Sequence, residues 1–182
     1  MRERFAHASV KNNALGRLNH SMQPKYVRES YSEYSELALP IDANVLGTLL
    51  GGKVMHLVDL AGALAAIRHA RQPVVTASVD HMNFLHPVRI GQLVQLYSAV
   101  NRVFRTSMEV GVKVFVEDLL QGEVRHTSSA YLTFVAVDVT GSRIPVAPII
   151  PETEDEKRRY EQAGLRREYR LRLKDQEAKT EF

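Results

Sequence analysis

Asp59 lies in the stretch "GGKVMHLVDLAGALAAIRHA" (residues 51–70), an apolar run of good helix formers without proline. At helical spacing its neighbours on one stripe are Met55, Gly62, Ala63 and Ala66. Burial without a partner costs about 2–7 kcal/mol even for a neutral polar group, and more for a charge. The carboxylate must therefore be paired with a nearby donor such as His56, be solvated in a cleft or on a small-residue surface stripe, or serve as a base. Gly51 and Gly52 open the same run. A helix start offers N–H groups without intrahelical acceptors and the positive end of the dipole, which suit an anion or a developing oxyanion. The architectural alternative is that the glycines only let the chain turn and the helix pack closely.

The octet "GTLLGGKV" (47–54) also comes within one residue of the phosphate-loop signature G-x-x-x-x-G-K-[ST]. Gly47, Gly52 and Lys53 are on spacing, but Val54 stands where a hydroxyl must reach magnesium. The preceding "PIDANVL" is too short and polar for a central parallel strand, and no alternation of strands and helices follows. The residues are read instead as a helix start, with Val54 in the core and Lys53 solvated.

Tyr31, Tyr34 and Leu37 mark a first strand, which Pro40 ends. After Pro73 the period changes. "VVTASVDHMNFL", "LVQLYSAVNRVF", "SMEVGVKVFVED" and "EVRHTSSAYLTFVAVD" are rich in β-branched and aromatic residues and bounded by turn signals. In the third, Met108, Val110, Val112, Val114 and Val116 take one face, and Ser107, Glu109, Gly111, Lys113 and Phe115 the other. The order of one strand, one long helix buried on most sides, and four closely connected strands predicts an α+β domain whose antiparallel sheet packs on that helix.

With 182 residues, 45% hydrophobic and 25% charged, the chain is expected to form one domain with tails. Residues 1–30 read as a basic, poorly ordered arm, 31–140 as the domain, and 141–182 as a charged helical extension, loosely docked. The arm carries six Lys/Arg against two acids but no helix-turn-helix pattern, so no nucleic-acid partner is expected. The first twenty residues lack the apolar core of a signal peptide, and no run is long enough to span a bilayer, so a cytoplasmic, non-membrane protein is expected. There is no cysteine, which removes disulfides, thiolate nucleophiles and Cys-ligated zinc. His56, His69, His81, His86 and His126 are scattered without a pair on one helix face, and no metal site is expected.

Three blocks, "DANVLGTLLGGKVMHLVDLAG" (42–62), "VTASVDHMNFLHPVRIGQLV" (75–94) and "FRTSMEVGVKVFVED" (104–118), resemble the hotdog-fold acyl-CoA thioesterases, the acyl-CoA hydrolase group of bacterial short-chain and brain-type enzymes. The resemblance spans roughly residues 30 to 140. It implies the hotdog fold, a long central helix wrapped by an antiparallel sheet of about five strands, and hydrolysis of acyl-CoA to free fatty acid and coenzyme A. It also implies a homodimer with active sites shared between chains, assembled further into a hexamer as a trimer of dimers. Asp59 would then activate water, Asn44 from the partner would orient it, and the Gly52 N–H would steady the oxyanion.

The same resemblance places Ala77, Ser78 and Val79, together with Arg105, Thr106, Ser107 and Met108, along coenzyme A, with Arg105 beside a phosphate. Ala77, Val79 and Met108 serve equally as sheet core. The segment "RREYRLR" (166–172) reads as a solvated helix face, although relatives can place cations there near the nucleotide. No cofactor is implied beyond the coenzyme A of substrate and product. Two rivals keep the fold. A hotdog hydratase needs a His that "DANVLGTLLGG" lacks, and the other is a non-catalytic module that senses acyl-CoA.

Overall fold

The computed structural model of the protein describes residues 22–80 and 82–180. Strand β1 (Lys25–Tyr26) leads through a 3-10 turn (Val27–Ser30) into β2 (Ser32–Leu37), and a second 3-10 turn (Pro40–Asp42) precedes helix α1 (Gly51–Ala70). Then come β3 (Val74–Val79), β4 (Leu93–Val103), β5 (Ser107–Asp118), β6 (Glu123–Ala136), β7 (Ile149–Ile150) and helix α2 (Glu154–Thr180). Five strands form one antiparallel sheet in the order β2-β4-β5-β6-β3, curled around α1, which is the hotdog arrangement.

The inner face follows the two-residue period. Met108, Val110, Val112 and Val114 of β5, with Leu96, Val100, Leu132 and Phe134 from its neighbours, are at most 1% exposed. They pack with Leu57, Val58, Ala61 and Ala65 of α1 in one core. Burying each large apolar side chain contributes about 1.5–3 kcal/mol. Gly62 lets the helix approach this closely, since a Cβ there would stand 3.0 Å from the Phe134 ring. The Ser98 hydroxyl, on the inner face of β4, donates to the Ala61 carbonyl at 2.6 Å.

The structure departs from the sequence expectations at four places. Helix α1 is not buried on most sides, for Leu60, Leu64 and Ile67 form a ridge between 37% and 46% exposed, and Met55, on the Asp59 stripe, is 46% exposed. The segment from Val74 is strand only to Val79. The arm ends before residue 30, because β1 pairs in parallel with β7 and Val27 and Ser30 are buried. The extension includes one long helix, α2, lying across the outer face of the sheet and tied to it by the partly buried ion pairs Arg166–Glu109 and Arg170–Asp80. Residues 1–21 of the arm and His81 lie outside the described residues. Among the described residues, no helix is long and apolar enough to cross a membrane.

Candidate active site

Asp59 sits in the middle of α1, half buried, and its carboxylate accepts a hydrogen bond of 2.6 Å from the hydroxyl of Thr76 on β3. Sequence offered His56 as one example of a nearby donor; the hydrogen bond comes instead from Thr76 on the edge strand. Strand β3 is irregular where this happens. Thr76 pairs with Phe134 and Ser78 with Thr133, so Ala77 is an extra residue, a β-bulge. Phe134 faces the core, and Thr76 therefore faces α1. Beyond the bulge the parity is reversed, and Ser78 and Asp80 lie on the outer face.

The start of α1 is open. Leu50 is the N-cap and has no side-chain oxygen to cap with. The N–H groups of Lys53 and Val54 both donate to the Leu50 carbonyl, at 3.0 and 3.1 Å. Those of Gly51 and Gly52 have no acceptor among the described residues. A Cβ on Gly52 would meet nothing within 4 Å, whereas one on Gly51 would touch the Phe84 ring at 3.7 Å, so the helix surface at Gly52 is open. A cavity of about 300 Å³ lies beside this turn, lined by Leu49, Gly51, Val54, Phe84, His86 and Val88 among others.

Asn44 holds the loop before the helix. Its Oδ1 accepts from the N–H of Leu46 at 2.9 Å and of Thr48 at 3.2 Å, and its Nδ2 donates to the Thr48 hydroxyl at 2.8 Å. This is an Asx turn, for which Asn is suited. Among the described residues, no hydrogen bond joins Asn44 to Asp59. Lys53 is not a solvated lysine. Its ammonium pairs with Glu36 of β2 at 2.7 Å and with Asp42 at 3.3 Å, and the hydrogen bond to Glu36 holds its pKa above the ordinary value. The Leu50 N–H also donates to the Asp42 carbonyl, at 2.9 Å. Val54 is in the core as expected, 4% exposed.

The residues expected along coenzyme A fall into two groups. Ala77, Ser78 and Val79 lie on edge strand β3, with Ala77 and Val79 exposed. Arg105 and Thr106 form the β4–β5 turn, and Ser107 and Met108 begin β5. Strand β6 separates the groups. Met108 is fully buried, so its side chain belongs to the core, whereas Arg105 is exposed.

The segment 166–172 is not simply a solvated helix face. Arg166 donates to the buried Glu109 through Nε at 3.1 Å and Nη2 at 2.6 Å, and lies over the Tyr131 ring at 3.7 Å. Arg170 pairs with Asp80 and stands 3.7 Å from Glu109. Burial raises the pKa of the Asp80 carboxyl, with Arg170 acting in the opposite direction. A larger cavity, about 750 Å³, lies on this outer face between the sheet and the start of α2, and its lining includes Tyr97, Lys113, Tyr131 and Arg158.

Thr76 and Glu109 were missed as site or network residues. A lone Thr in a β-rich segment carries no signal beyond strand propensity. Glu109 was placed on the outer face, yet it is buried only because α2 covers it. Among the described residues, no three or more His, Asp or Glu side chains are grouped to hold a metal ion.

With this geometry in place, comparison with known proteins is specific. The thioesterase superfamily matches residues 46–123. An acyl-CoA thioester hydrolase of Bacillus subtilis, itself uncharacterised, is 40% identical over 134 residues, covering 74% of this chain and 78% of the relative. A solved hexameric acyl-CoA thioesterase is 43% identical, covers 84% of this chain and 97% of its own, and superposes with a TM-score of 0.80. The acyl-CoA hydrolase of Staphylococcus aureus, solved with butyryl coenzyme A and coenzyme A, is 33% identical over 86% of this chain and 96% of its own, with a TM-score of 0.79. That enzyme has also been solved with an Asp changed to Ala, with an Asn fifteen residues before it changed to Ala, and with a Thr seventeen residues after it changed to Ala. Asn44, Asp59 and Thr76 stand at the same separations in this chain.

Proposed function

The chain belongs to the hotdog-fold acyl-CoA thioesterases of the thioesterase superfamily, and from that premise we propose that it hydrolyses acyl-CoA with water activated by Asp59. The observation that carries this reading is the Asp59 carboxylate, held by Thr76 at 2.6 Å on the same helix whose first turn leaves the Gly51 and Gly52 N–H groups without an acceptor among the described residues.

In the reaction, Asp59 takes a proton as the water oxygen bonds to the thioester carbonyl carbon. The carbonyl oxygen gains the negative charge, and the Gly52 N–H, at the positive end of the α1 dipole, stabilises it. Collapse of this intermediate breaks the C–S bond, and the thiolate of coenzyme A leaves and is protonated. A thioester is electrophilic enough that a positioned base and an oxyanion donor, contributing on the order of 10²–10³-fold each, suffice without a nucleophilic Ser or Cys. We assign no cofactor beyond the coenzyme A of the substrate. The apolar cavity beside Gly51 suits the first carbons of the acyl group, and Ala77–Val79 and Arg105–Ser107 line the route of the coenzyme.

The unit of function in this reading is a dimer with shared sites, assembled into a hexamer. Two features of the single chain support pairing. One is the exposed α1 ridge of Leu60, Leu64 and Ile67, and the other is the edge of β3, which pairs with no strand among the described residues and where Val75 and Val79 are 50% and 44% exposed. Pairing would bring the Asn44 of one chain toward the Asp59 of the other, which accounts for the absence of a hydrogen bond between them among the described residues of one chain. The cytoplasm is the proposed setting.

The test is release of free thiol from a panel of acyl-CoAs by the wild type and by Asp59→Ala and Asn44→Ala. Activity on at least one chain length with loss in both variants is expected. Full activity in both variants would remove the site assignment, and no thiol release from any substrate would favour the acyl-CoA-sensing module.

A further inference from the structure

Helix α2 is joined to the active-site strand by ion pairs that ordinary surface packing does not require. Glu109 on the outer face of β5 is fully buried, and a buried carboxylate is tolerated only with several donors. It has Arg166 at 2.6 and 3.1 Å and Asn101 at 3.1 Å, with Arg170 at 3.7 Å. Helix α2 cannot slide across the sheet without leaving that charge unpaired, so its arginines form a fixed frame. From this frame Arg170 reaches Asp80, directly after the last residue of β3. The backbone N–H of Asp80 donates to the Tyr131 carbonyl at 2.8 Å, and the Tyr131 ring lies under Arg166.

The bulge at Ala77 makes this contact matter for chemistry. In an unbroken strand, residues 76, 78 and 80 would share one face. Here Thr76 faces α1 and Asp59, while Ser78 and Asp80 face α2. Holding Asp80 outward therefore favours the bulged register and the inward Thr76. A strand that relaxed to the regular register with Asp80 still outward would carry the Thr76 hydroxyl away from Asp59. Even with a second chain along the free edge of β3, the Asp80 carboxylate remains the tie between the end of this strand and α2.

We propose that Arg170, acting through Asp80 and braced by Glu109 and Arg166, is a positioning residue for the hydrolysis: it sets the bulge that presents Thr76 to Asp59. This rests on the reading of Asp59 and Thr76 as a working pair, and it makes α2 part of the catalytic apparatus instead of an appendage.

The test is steady-state kinetics and thermal stability of the full-length Arg170→Ala, Arg170→Lys, Asp80→Asn and Thr76→Ala variants and the Thr76→Ala/Arg170→Ala double variant. Asp59→Ala is included, with Arg158→Ala as control, which lies on α2 like Arg170 but among the described residues pairs only with Asp155. Misplacing a catalytic group by about 1 Å can cost up to about 10²-fold, so Arg170→Ala should lower kcat about 10-fold or more with KM changed by less than about 3-fold. Arg170→Lys should recover much of the loss, Asp80→Asn should resemble Arg170→Ala, and Arg158→Ala should match the wild type. In the Thr76→Ala background, Arg170→Ala should add little, because both act on the same hydrogen bond.

Unchanged kcat in Arg170→Ala, or full additivity with Thr76→Ala, would overturn the proposal. A raised KM with intact kcat would also overturn it, placing Arg170 on coenzyme A. If Arg170→Ala does not fold, Arg170→Lys and Asp80→Asn decide, and wild-type kcat in both would overturn the proposal. An active Asp59→Ala would remove the base assignment and this proposal with it, whereas an inactive Asp59→Ala beside a fully active Arg170→Ala would remove this proposal alone.

Discussion

The hydroxyl of Thr76 on the edge strand donates to the carboxylate of Asp59 in the middle of the central helix, across 2.6 Å. The bond engages Oδ1 of the carboxylate, and in the proposed reaction Oδ2 would take up the water. A hydrogen bond to a charged group is worth about 1.5–3 kcal/mol, or roughly 10- to 100-fold in rate if it matters only for the reaction. Thr76→Val should lower kcat by that factor at nearly constant KM, and Thr76→Ser should retain most of it. Equal kcat for Thr76→Val and wild type would show that the bond is incidental.

Lys53 anchors the loop that carries Asn44 by pairing with Glu36 at 2.7 Å and Asp42 at 3.3 Å. Lys53→Met should lower kcat/KM about 3- to 10-fold through loosened geometry at the helix start, and Lys53→Arg should restore it. Activity measured in low and high salt provides the check, because the wild type should lose its advantage over Lys53→Met as salt screens the pairs. Indistinguishable enzymes at low salt would reject the anchor.

His69, in the last turn of α1, is fully buried, with Nε2 2.8 Å from the Ala147 carbonyl and Nδ1 without a hydrogen-bond partner among the described residues. Burial lowers its pKa below the ordinary 6.5. The unfolded chain therefore takes up the proton first as pH falls. Stability is full above about pH 6.5 and declines from there down through the folded-state pKa. Thermal melts at pH 8, 6 and 5 should show a fall that is smaller in His69→Gln, which keeps a donor for Ala147. Parallel curves would contradict the assignment.

Leu64 lies in the apolar ridge of α1 and is 41% exposed. Leu64→Glu would place a charge in any interface formed there, so sedimentation should show a smaller assembly than the wild type. Activity should fall with the assembly if sites are shared between chains. A variant of wild-type size would move the interface elsewhere.

The sheet and helix were legible because their signals are local. Gly51 and Gly52 mark the first residues of α1, and the alternation from Ser107 to Val116 sorts the two faces of β5 correctly. Asp59 was legible as an anomaly, a carboxylate on an apolar helix. What was not legible depends on distant contacts. Thr76 acquires its role from a one-residue bulge, which strand propensity cannot reveal, and Glu109 and Arg166 become a buried pair only when α2 docks some 57 residues along the chain. Lys53 looked solvated because its partners, Glu36 and Asp42, sit on segments that the sequence alone does not bring together. Met55, Leu60, Leu64 and Ile67 made the helix look buried on most sides, since periodicity does not distinguish a face covered by the same chain from one left free for another.

The central claim is that Asp59 activates the water that cleaves the thioester. Its most direct test is the rate of coenzyme A release by Asp59→Asn, an isosteric change, with acyl-CoA affinity measured on the same preparation. The expected result is a fall in kcat of about 10²-fold or more with affinity retained within a few-fold. Hydrolysis by Asp59→Asn at a rate within a few-fold of the wild type would contradict it.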